Sequence, residues 1–219
     1  GDMDVLSAAY EDPQKVLWYE NDGSGGFGSE RIISTGVTGA KFPFHVRAAD
    51  INGDGKLDVV VLDDDGTWWH QNQGGGTFGS KLAIANNNSK FHLSDMDGDG
   101  DIDVLSVTWG TKKVAWYENL GNGAFRSELV IRSLSDGPTD IYAADFDDDG
   151  HMDVLAAAYY EGTIDWYRNT PLPDIGAVEQ EFPPTATLSR KYNLLPGTII
   201  AQANFGVLPL PGTISGTQY

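Results

Sequence analysis

Three segments of the chain share a dense pattern of carboxylates that could bind a metal ion. Residues 50–58, 95–103 and 145–153 each follow the form Asp-x-Asp/Asn-x-Asp-Gly-x-x-Asp. Side chains at positions one, three, five and nine can converge on one ion, and the carbonyl oxygen of position seven can add a ligand. Gly at position six allows a tight turn with positive φ. Oxygen donors in this number suit Ca²⁺, which takes about six to eight ligands, better than the compact octahedral shell of Mg²⁺.

Two other interpretations of these loops are less consistent with the sequence. Asp, Asn and Gly favour turns for local reasons, but three complete copies in one register exceed what turn preference explains, and carboxylates this dense repel one another without a cation. An EF-hand loop starts in the same way but needs a Glu at position twelve and flanking helices. Position twelve here is Val61, Ser106 or Ala156, and the flanks are strand-like, so we exclude an EF-hand.

The acidic loops belong to a longer repeat that is marked by tryptophan. Four tryptophans recur about every fifty residues, each within a related segment such as Trp-Tyr-Glu-Asn: Trp18, Trp69, Trp116 and Trp166. Short runs of Val, Ile, Trp, Tyr and Phe, separated by Gly, Asn and Asp, are typical of strands. In the second repeat the predicted strands lie near residues 44–49, 57–62, 67–72 and 77–84.

Four strands in a repeat of about fifty residues make up one blade of a β-propeller. A β-sandwich is the alternative, but it does not require one sequence pattern to recur four times. The chain holds about three and a half repeats, and a single blade cannot bury both faces, so neighbouring blades must stack. Residues 1–6 match only the end of an acidic loop and its following strand. We therefore expect a piece of a longer protein, with further blades from upstream sequence or another chain.

The loops, the Val-rich strands after them and the Trp-Tyr-Glu-Asn segments resemble FG-GAP (VCBS-type) repeats over roughly residues 1–170. The resemblance implies an all-β fold of four-stranded antiparallel β-propeller blades, with Ca²⁺ held between the first two strands of a blade at about three sites. The Phe-Gly of the family is present at Phe27-Gly28 and Phe78-Gly79 but becomes Phe125-Arg126. Asp4 and the Asp2 carbonyl are what remains of a first site.

The resemblance also implies a ligand set, position by position. At positions one, three, five and nine the ligands are side chains, and at position seven they are main-chain carbonyls: Asp50, Asn52, Asp54, Lys56 and Asp58; Asp95, Asp97, Asp99, Asp101 and Asp103; Asp145, Asp147, Asp149, His151 and Asp153.

Composition and charge exclude several classes of function. Lys and Arg number 14 against 32 Asp and Glu, which gives a net charge of −18. Nucleic-acid binding needs basic side chains that displace counterions, so we expect no nucleic-acid partner. No apolar run is long enough to insert into a membrane.

The sequence also lacks the motifs of common catalytic sites. The histidines share no ligand or triad spacing, Cys is absent, and no nucleophile elbow occurs. Paired carboxylates can hydrolyse glycosides, but here calcium already accounts for them, and we predict that the protein is not an enzyme.

A few residues outside the loops are candidates for contacts with sugars. Alternation along a strand sends the Trp and Tyr of each repeat to opposite faces, both buried between blades, so we predict that they form core. Trp68 and Trp109 lie outside that register and are candidate glycan contacts. Asn87 begins an Asn-x-Ser sequence, a possible N-glycosylation site. Asp63-Asp64-Asp65-Gly66 is predicted to be a tight hairpin turn.

The C-terminal segment 171–219 differs from the repeats. It holds most of the prolines and no tryptophan, and Leu-Pro-Gly-Thr-Ile occurs twice within it, at 195–199 and 210–214. Prolines of this kind mark strand edges and turns. The segment is therefore predicted to be either a linker into a further β module or an extended arm that pairs with a neighbouring subunit by strand addition.

Together these features favour a calcium-stabilised, extracellular or cell-surface propeller module with a structural or adhesive role. Its partner would be another protein or a second copy of the chain, bound through 171–219. A glycan-binding, lectin-like propeller is the first alternative, and an accessory propeller of a secreted hydrolase is the second.

Overall fold

The computed structural model describes residues 2–9, 13–35, 42–86, 89–135, 137–160 and 162–169, and the backbone of 191–193. These residues form antiparallel strands and their connections, and these ranges contain no helix. The predicted all-β fold class is confirmed. Accordingly, the described part of the chain has no helix with the length and hydrophobicity that crossing a membrane requires.

The first two sheets cover the N-terminal half of the described residues. The first sheet has three strands: β1 (Val5–Ala9), β2 (Lys15–Tyr19) and β3 (Arg31–Thr35). The second sheet has four: β4 (His45–Ala49), β5 (Asp58–Asp63), β6 (Gly66–His70) and β9 (Leu82–Asn86). Between β6 and β9 the chain forms a small hairpin from β7 (Asn72–Gly74) and β8 (Thr77–Phe78).

The third and fourth sheets repeat this order. The third sheet consists of β10 (Lys90–Ser94), β11 (Asp103–Thr108), β12 (Lys113–Tyr117) and β13 (Leu129–Ser133). The fourth consists of β14 (Pro138–Ala144), β15 (Asp153–Ala158), β16 (Thr163–Tyr167) and β17 (Lys191–Asn193). The fourth sheet thus takes its last strand from the segment predicted to be a linker or an arm. The rest of 171–219 lies outside the described residues.

In the second repeat, three predicted strands agree closely with β4, β5 and β6. The fourth strand was predicted to begin at residue 77, and this start is wrong. Strand β9 begins at Leu82, because residues 77–78 pair back onto 72–74 instead. Gly74, Gly75 and Gly76 all have positive φ, which reverses the chain at this point. Isolated bridges join Asn21 to Phe27 and Asn119 to Phe125. A short reversal before the last strand is therefore a recurring feature of the repeat.

The core lies between successive sheets. One cluster joins the second and third sheets through Val60, Trp69 and Val104, and another joins the third and fourth through Leu105, Trp116 and Val154. A smaller cluster around Val16 and Val59 joins the first and second sheets. Trp69 and Trp116 are 3% and 5% exposed. The prediction that the repeated tryptophans pack between blades is confirmed for these two.

Candidate metal centres

Each acidic loop connects the first two strands of a sheet. The loops join β4 to β5, β10 to β11, and β14 to β15. The loop closes where its last aspartate pairs with the final residue of the preceding strand: Ala49 with Asp58, Ser94 with Asp103, and Ala144 with Asp153. The ladder on either side therefore fixes both ends of every loop.

Backbone conformation folds the loops into the same shape. The position-six glycines Gly55, Gly100 and Gly150 have φ of +82°, +96° and +89°, as the sequence predicts. Position four also has positive φ, which was not predicted from the sequence. Gly53 and Gly98 supply it in two loops, whereas Asp148 adopts φ of +58° in the third. Asp tolerates the left-handed region better than most side chains, so the third loop keeps the shape without glycine at this position.

The first aspartate of each loop holds the turn together. Asp50 Oδ2 accepts a hydrogen bond from Gly55 N at 2.7 Å, and Asp145 Oδ2 accepts one from Gly150 N at 2.8 Å. Asp95 Oδ2 accepts the equivalent bond from Gly100 N at 3.0 Å. These bonds curl the loop around the carboxylate, so its neighbours at positions three and five are brought towards it.

Two of the three loops gather three carboxylates into a group of the size that binds a metal ion. In each group one oxygen from every carboxylate lies within 4.8 Å of the others: Asp95, Asp97 and Asp99; Asp145, Asp147 and Asp149. These are positions one, three and five of the predicted sites. In the loop at 50–58, Asn52 takes position three, and Lys56 Nζ lies 3.0 Å from Asp54 Oδ2. That loop offers less negative charge to a cation.

The electrostatics of the two aspartate groups fit a bound cation. Burial and, to a smaller extent, the neighbouring carboxylates of Asp99 and Glu118 raise the pKa of Asp97 to about 6. Burial and the Asp149 carboxylate also raise the pKa of Asp147. Asp147 Oδ1 is buried, and no donor from the described residues bonds to it. Crowded, partly buried oxygens of this kind are the ligands that Ca²⁺ takes in proteins, so the residues fit a calcium ion.

The main chain at position seven takes part in the same turn. Lys56 N, Asp101 N and His151 N each donate to the position-five aspartate, at 3.0, 2.9 and 3.0 Å. These bonds fix the peptide whose carbonyl was predicted to bind metal. Metal binding by the three carbonyls stays a prediction.

The position-nine aspartates are anchors for the backbone. Asp58, Asp103 and Asp153 are fully buried. Asp103 Oδ2 accepts from Met96 N at 3.0 Å, and Asp103 Oδ1 accepts from Asn119 N at 2.7 Å. The other two sites repeat the second bond with Asn72 N and Asn169 N, both at 2.7 Å. Burial raises the pKa of Asp103 to about 7. Metal binding at position nine also stays a prediction.

A recurring asparagine ties two of the acidic loops, at 50–58 and 95–103, to the next sheet. Asn119 Nδ2, in the third sheet, donates to Ile51 O in the loop of the second sheet at 2.8 Å. Asn169 Nδ2, in the fourth sheet, donates to Met96 O in the loop of the third at 3.0 Å. Asn stands three residues after every repeat tryptophan, but the sequence pattern alone predicts no partner for it. Its recurrence was the signal for this inter-sheet bond.

The remnant of a fourth loop at the N-terminus keeps the same anchor. Asp4 Oδ1 accepts from Asn21 N at 2.9 Å, and Asp4 Oδ2 accepts from Trp18 Nε1 at 3.0 Å. Asn21 Nδ2 donates to Met3 O at 3.0 Å. The anchor is therefore a property of the repeat and does not need the complete acidic loop.

The two candidate glycan contacts lie in different surroundings. Trp68, on β6, lines a groove of about 520 Å³ between the first and second sheets. Trp109 is 40% exposed in the turn after β11, with its ring 5.7 Å from that of Tyr160. Asn87, the candidate glycosylation site, lies outside the described residues. The predicted turn at Asp63-Asp64-Asp65-Gly66 is confirmed, because β5 and β6 pair directly across it.

The groove beside Trp68 contains residues that break the repeat. At the position of Trp68 the first and third repeats have Leu and Ala. Both have Tyr at the position of His70 and Glu at the position of Lys81. Lys81 Nζ lies 4.1 Å from the centroid of the Trp68 ring and 3.1 Å from Asp63 Oδ2. Asp63 Oδ1 also accepts from Trp68 Nε1 at 2.9 Å. In the first and third sheets, Lys15 with Glu30 and Lys113 with Glu128 form the corresponding ion pairs.

The comparisons with known proteins agree with this fold. No curated protein matches the chain. A solved structure of a lectin from Agrocybe aegerita, whose title describes specific recognition of non-reducing terminal N-acetylglucosamine, matches with a TM-score of 0.53 at 21% identity. The match covers 71% of this chain and 43% of the lectin, and at this identity it shows the fold alone.

The repeats also match a family model. The model, described as an FG-GAP-like repeat, matches three times, over residues 1–61, 50–93 and 95–156. These matches span most of the described sheets and all three acidic loops. The chain belongs to the family of FG-GAP-like repeat proteins.

Proposed function

We propose that the chain is a calcium-stabilised propeller module that works outside the cell in adhesion or structural assembly, and that it is not an enzyme. The observation that carries the proposal is the bond from an asparagine of one sheet to the acidic loop of the sheet before it. An ion held by Asp95, Asp97 and Asp99 would fix a loop whose Met96 carbonyl is bonded to Asn169 of the next sheet. Calcium would therefore stiffen the junction between blades as well as the loop itself.

The thermodynamics of metal binding set the size of this effect. A ligand that binds only the folded state adds about 2.7 kcal/mol to stability when it is present at about a hundred times its Kd. Extracellular calcium modules work with Kd values of about 10⁻⁴–10⁻³ M. A weak site is sufficient for a structural role where calcium is plentiful, which is the reason for proposing an extracellular location.

Electron microscopy of the native material in calcium and then in EGTA tests the structural role. Ordered filaments or sheets that loosen in EGTA would support it. Asp97→Asn removes one charge from the third-sheet loop and should weaken its calcium site. As calcium is withdrawn, assemblies of this variant should therefore loosen at a higher remaining calcium concentration than those of the wild type. Discrete particles under both conditions would refute the assembly role. Order that is present in EGTA and lost in calcium would also refute it.

The groove beside Trp68 favours glycan binding as a second candidate function. The Trp68 ring offers apolar surface to a sugar once the Lys81 side chain that lies over it moves aside. Asp65 and Lys81 in the same groove offer hydrogen-bond partners for the sugar hydroxyls. The departures from the repeat at Trp68, His70 and Lys81 converge on this groove. The lectin that shares the fold recognises terminal N-acetylglucosamine according to its title, and that sugar is a rational first probe.

A substitution taken from the chain itself provides the sharpest test of this site. Trp68→Leu installs the residue that the first repeat has at the same position, Leu17, and so preserves a side chain that the fold accepts. On a glycan array in calcium buffer we expect this variant to lose about five- to thirtyfold in affinity, in line with the loss of one aromatic contact of about 1–2 kcal/mol. Trp109→Ala is the comparison, because it removes the other candidate aromatic. Equal binding by the wild type and Trp68→Leu would rule out this groove.

A further inference from the structure

The first strands of three successive sheets present a group of aligned charged and aromatic side chains. Counting back from the first aspartate of each loop, His45, Lys90 and Asp140 occupy one position, and Arg47, His92 and Tyr142 occupy the position two residues later. Residues two apart on a strand share a face. We name these six residues the inner-strand patch.

Burial confirms that the patch lies on one side of the three strands. The intervening residues Phe91 and Ile141 are 2% and 5% exposed, and they point into the core. Arg47, Asp140 and Tyr142 are exposed, and His45, Lys90 and His92 are half-buried. The patch is therefore a solvent-facing surface that is continuous across the second, third and fourth sheets.

Ring contacts and electrostatics show that the members of the patch lie close together. The His92 ring is 4.6 Å from that of Tyr142, so the contact joins β10 to β14. Burial lowers the pKa of His45 to about 4, and the positive charges of Arg47 and Lys90 contribute to the lowering. Burial and Arg47 likewise lower the pKa of His92, while the Asp140 carboxylate opposes the shift. The patch thus holds two cations, Arg47 and Lys90, within electrostatic reach of its histidines, together with one carboxylate, Asp140.

The two cations of the patch differ from most other basic residues of the chain. Many basic side chains pair with a carboxylate: Lys15, Arg31, Lys56, Lys81, Lys113, Arg126 and Arg168. Arg47 Nη1 donates to its neighbour's carbonyl, Val46 O, at 2.9 Å. Within the described ranges neither Arg47 nor Lys90 forms an ion pair. His45 Nδ1 is buried and has no hydrogen-bond partner there. In a chain of net charge −18, described cations without a carboxylate partner are fewer than those that have one.

We propose that the inner-strand patch binds an oxyanion, a carboxylate, sulfate or phosphate group carried by a small ligand. The planar guanidinium of Arg47 can hold two oxygens of such a group at once, and the Lys90 ammonium adds a second charge. The exposed ring of Tyr142 offers a surface for the body of the ligand. The competing explanation is that Arg47 and Lys90 only offset the negative charge of the acidic loops that begin shortly after them, at Asp50 and Asp95.

Calorimetric titration of the calcium-loaded chain with inorganic sulfate, with glucuronate and with glucose 6-sulfate tests the proposal. We expect binding that weakens about tenfold or more in Arg47→Gln and in Lys90→Gln. Arg132→Gln is the matched control, since Arg132 is also exposed and unpaired within the described residues but lies on β13, at the opposite edge of the third sheet from β10. The control should bind the anions as the wild type does. Tighter binding of the two sugars than of sulfate would identify a sugar as the carrier, and equal binding would identify the free oxyanion.

Two results would overturn the proposal. The first is no binding of any probe by the wild type, or an equal loss in all three variants, which would show that only the overall charge matters. The second is a higher calcium affinity in Arg47→Gln or Lys90→Gln with anion binding unchanged. That result would assign the two cations to the acidic loops.

Discussion

Asn119 offers the most direct test of how the sheets are joined. Its side chain is 1% exposed. Its Nδ2 donates to Ile51 O at 2.8 Å and to Ile102 O at 3.0 Å. Asn119→Ala would leave both carbonyls without this donor. One buried polar group left unpaired costs about 1–3 kcal/mol, and the second carbonyl is only partly buried, so we expect a loss of about 2–4 kcal/mol in the free energy of unfolding.

The assay is urea unfolding in saturating calcium, followed by tryptophan fluorescence and circular dichroism. Asn122→Ala is the matched control, because Asn122 is exposed in the same turn and, among the described residues, its Oδ1 accepts only a local bond from Ala124 N at 3.0 Å. The control should lose less than about 1 kcal/mol. Calcium affinity should also fall in Asn119→Ala, because Ile51 belongs to the loop of the second sheet. Equal losses of stability in the two variants would show that the Asn119 bond does not hold the second and third sheets together.

Three further predictions concern the fourth-sheet loop, the core and pH. The Arg168 guanidinium contacts Asp147 and Asp149, so Arg168→Gln should raise calcium affinity several-fold in calorimetry, and an unchanged or lower affinity would contradict this competition. Leu105 is fully buried between the third and fourth sheets, and Leu105→Ala should cost about 2–5 kcal/mol in chemical unfolding. A cost below about 1 kcal/mol would contradict a packed core. The pKa of His45 is lowered from 6.5 to about 4, so the unfolded state takes up this proton first and stability should fall from pH 6.5 towards pH 4. His45→Gln should flatten that part of the stability profile, and an unchanged profile would assign the pH dependence to other groups.

The sequence was sufficient to predict the repeat and its acidic loops because both depend on local patterns. Tryptophan spacing and the alternation of apolar residues define the blade unit. The glycine at position six marks a backbone that turns with positive φ. The start of strand β9 was missed, because Phe78 looks like part of a longer strand when the reversal at Gly74–Gly76 is ignored.

The features that the sequence did not predict depend on contacts between distant residues. The Asp103–Asn119 bond joins the two ends of a hairpin, and the Asn119–Ile51 bond joins two sheets. Periodicity shows that Asn recurs but gives no information about its partner. The groove at Trp68 likewise requires three departures from the repeat to meet at one place, which becomes visible only when the sheets are packed.

Thermal unfolding in calcium and in EGTA, for a pair of adjacent variants, tests the central claim most directly. Asp147→Asn changes a carboxylate of the fourth-sheet group, whereas Asp148→Asn removes the same charge from a residue outside that group and keeps a side chain that tolerates positive φ. Calcium should raise the Tm of the wild type and of Asp148→Asn by several degrees, and it should raise that of Asp147→Asn by clearly less. An equal rise in both variants, or no rise in the wild type, would contradict the assignment of these loops as calcium sites.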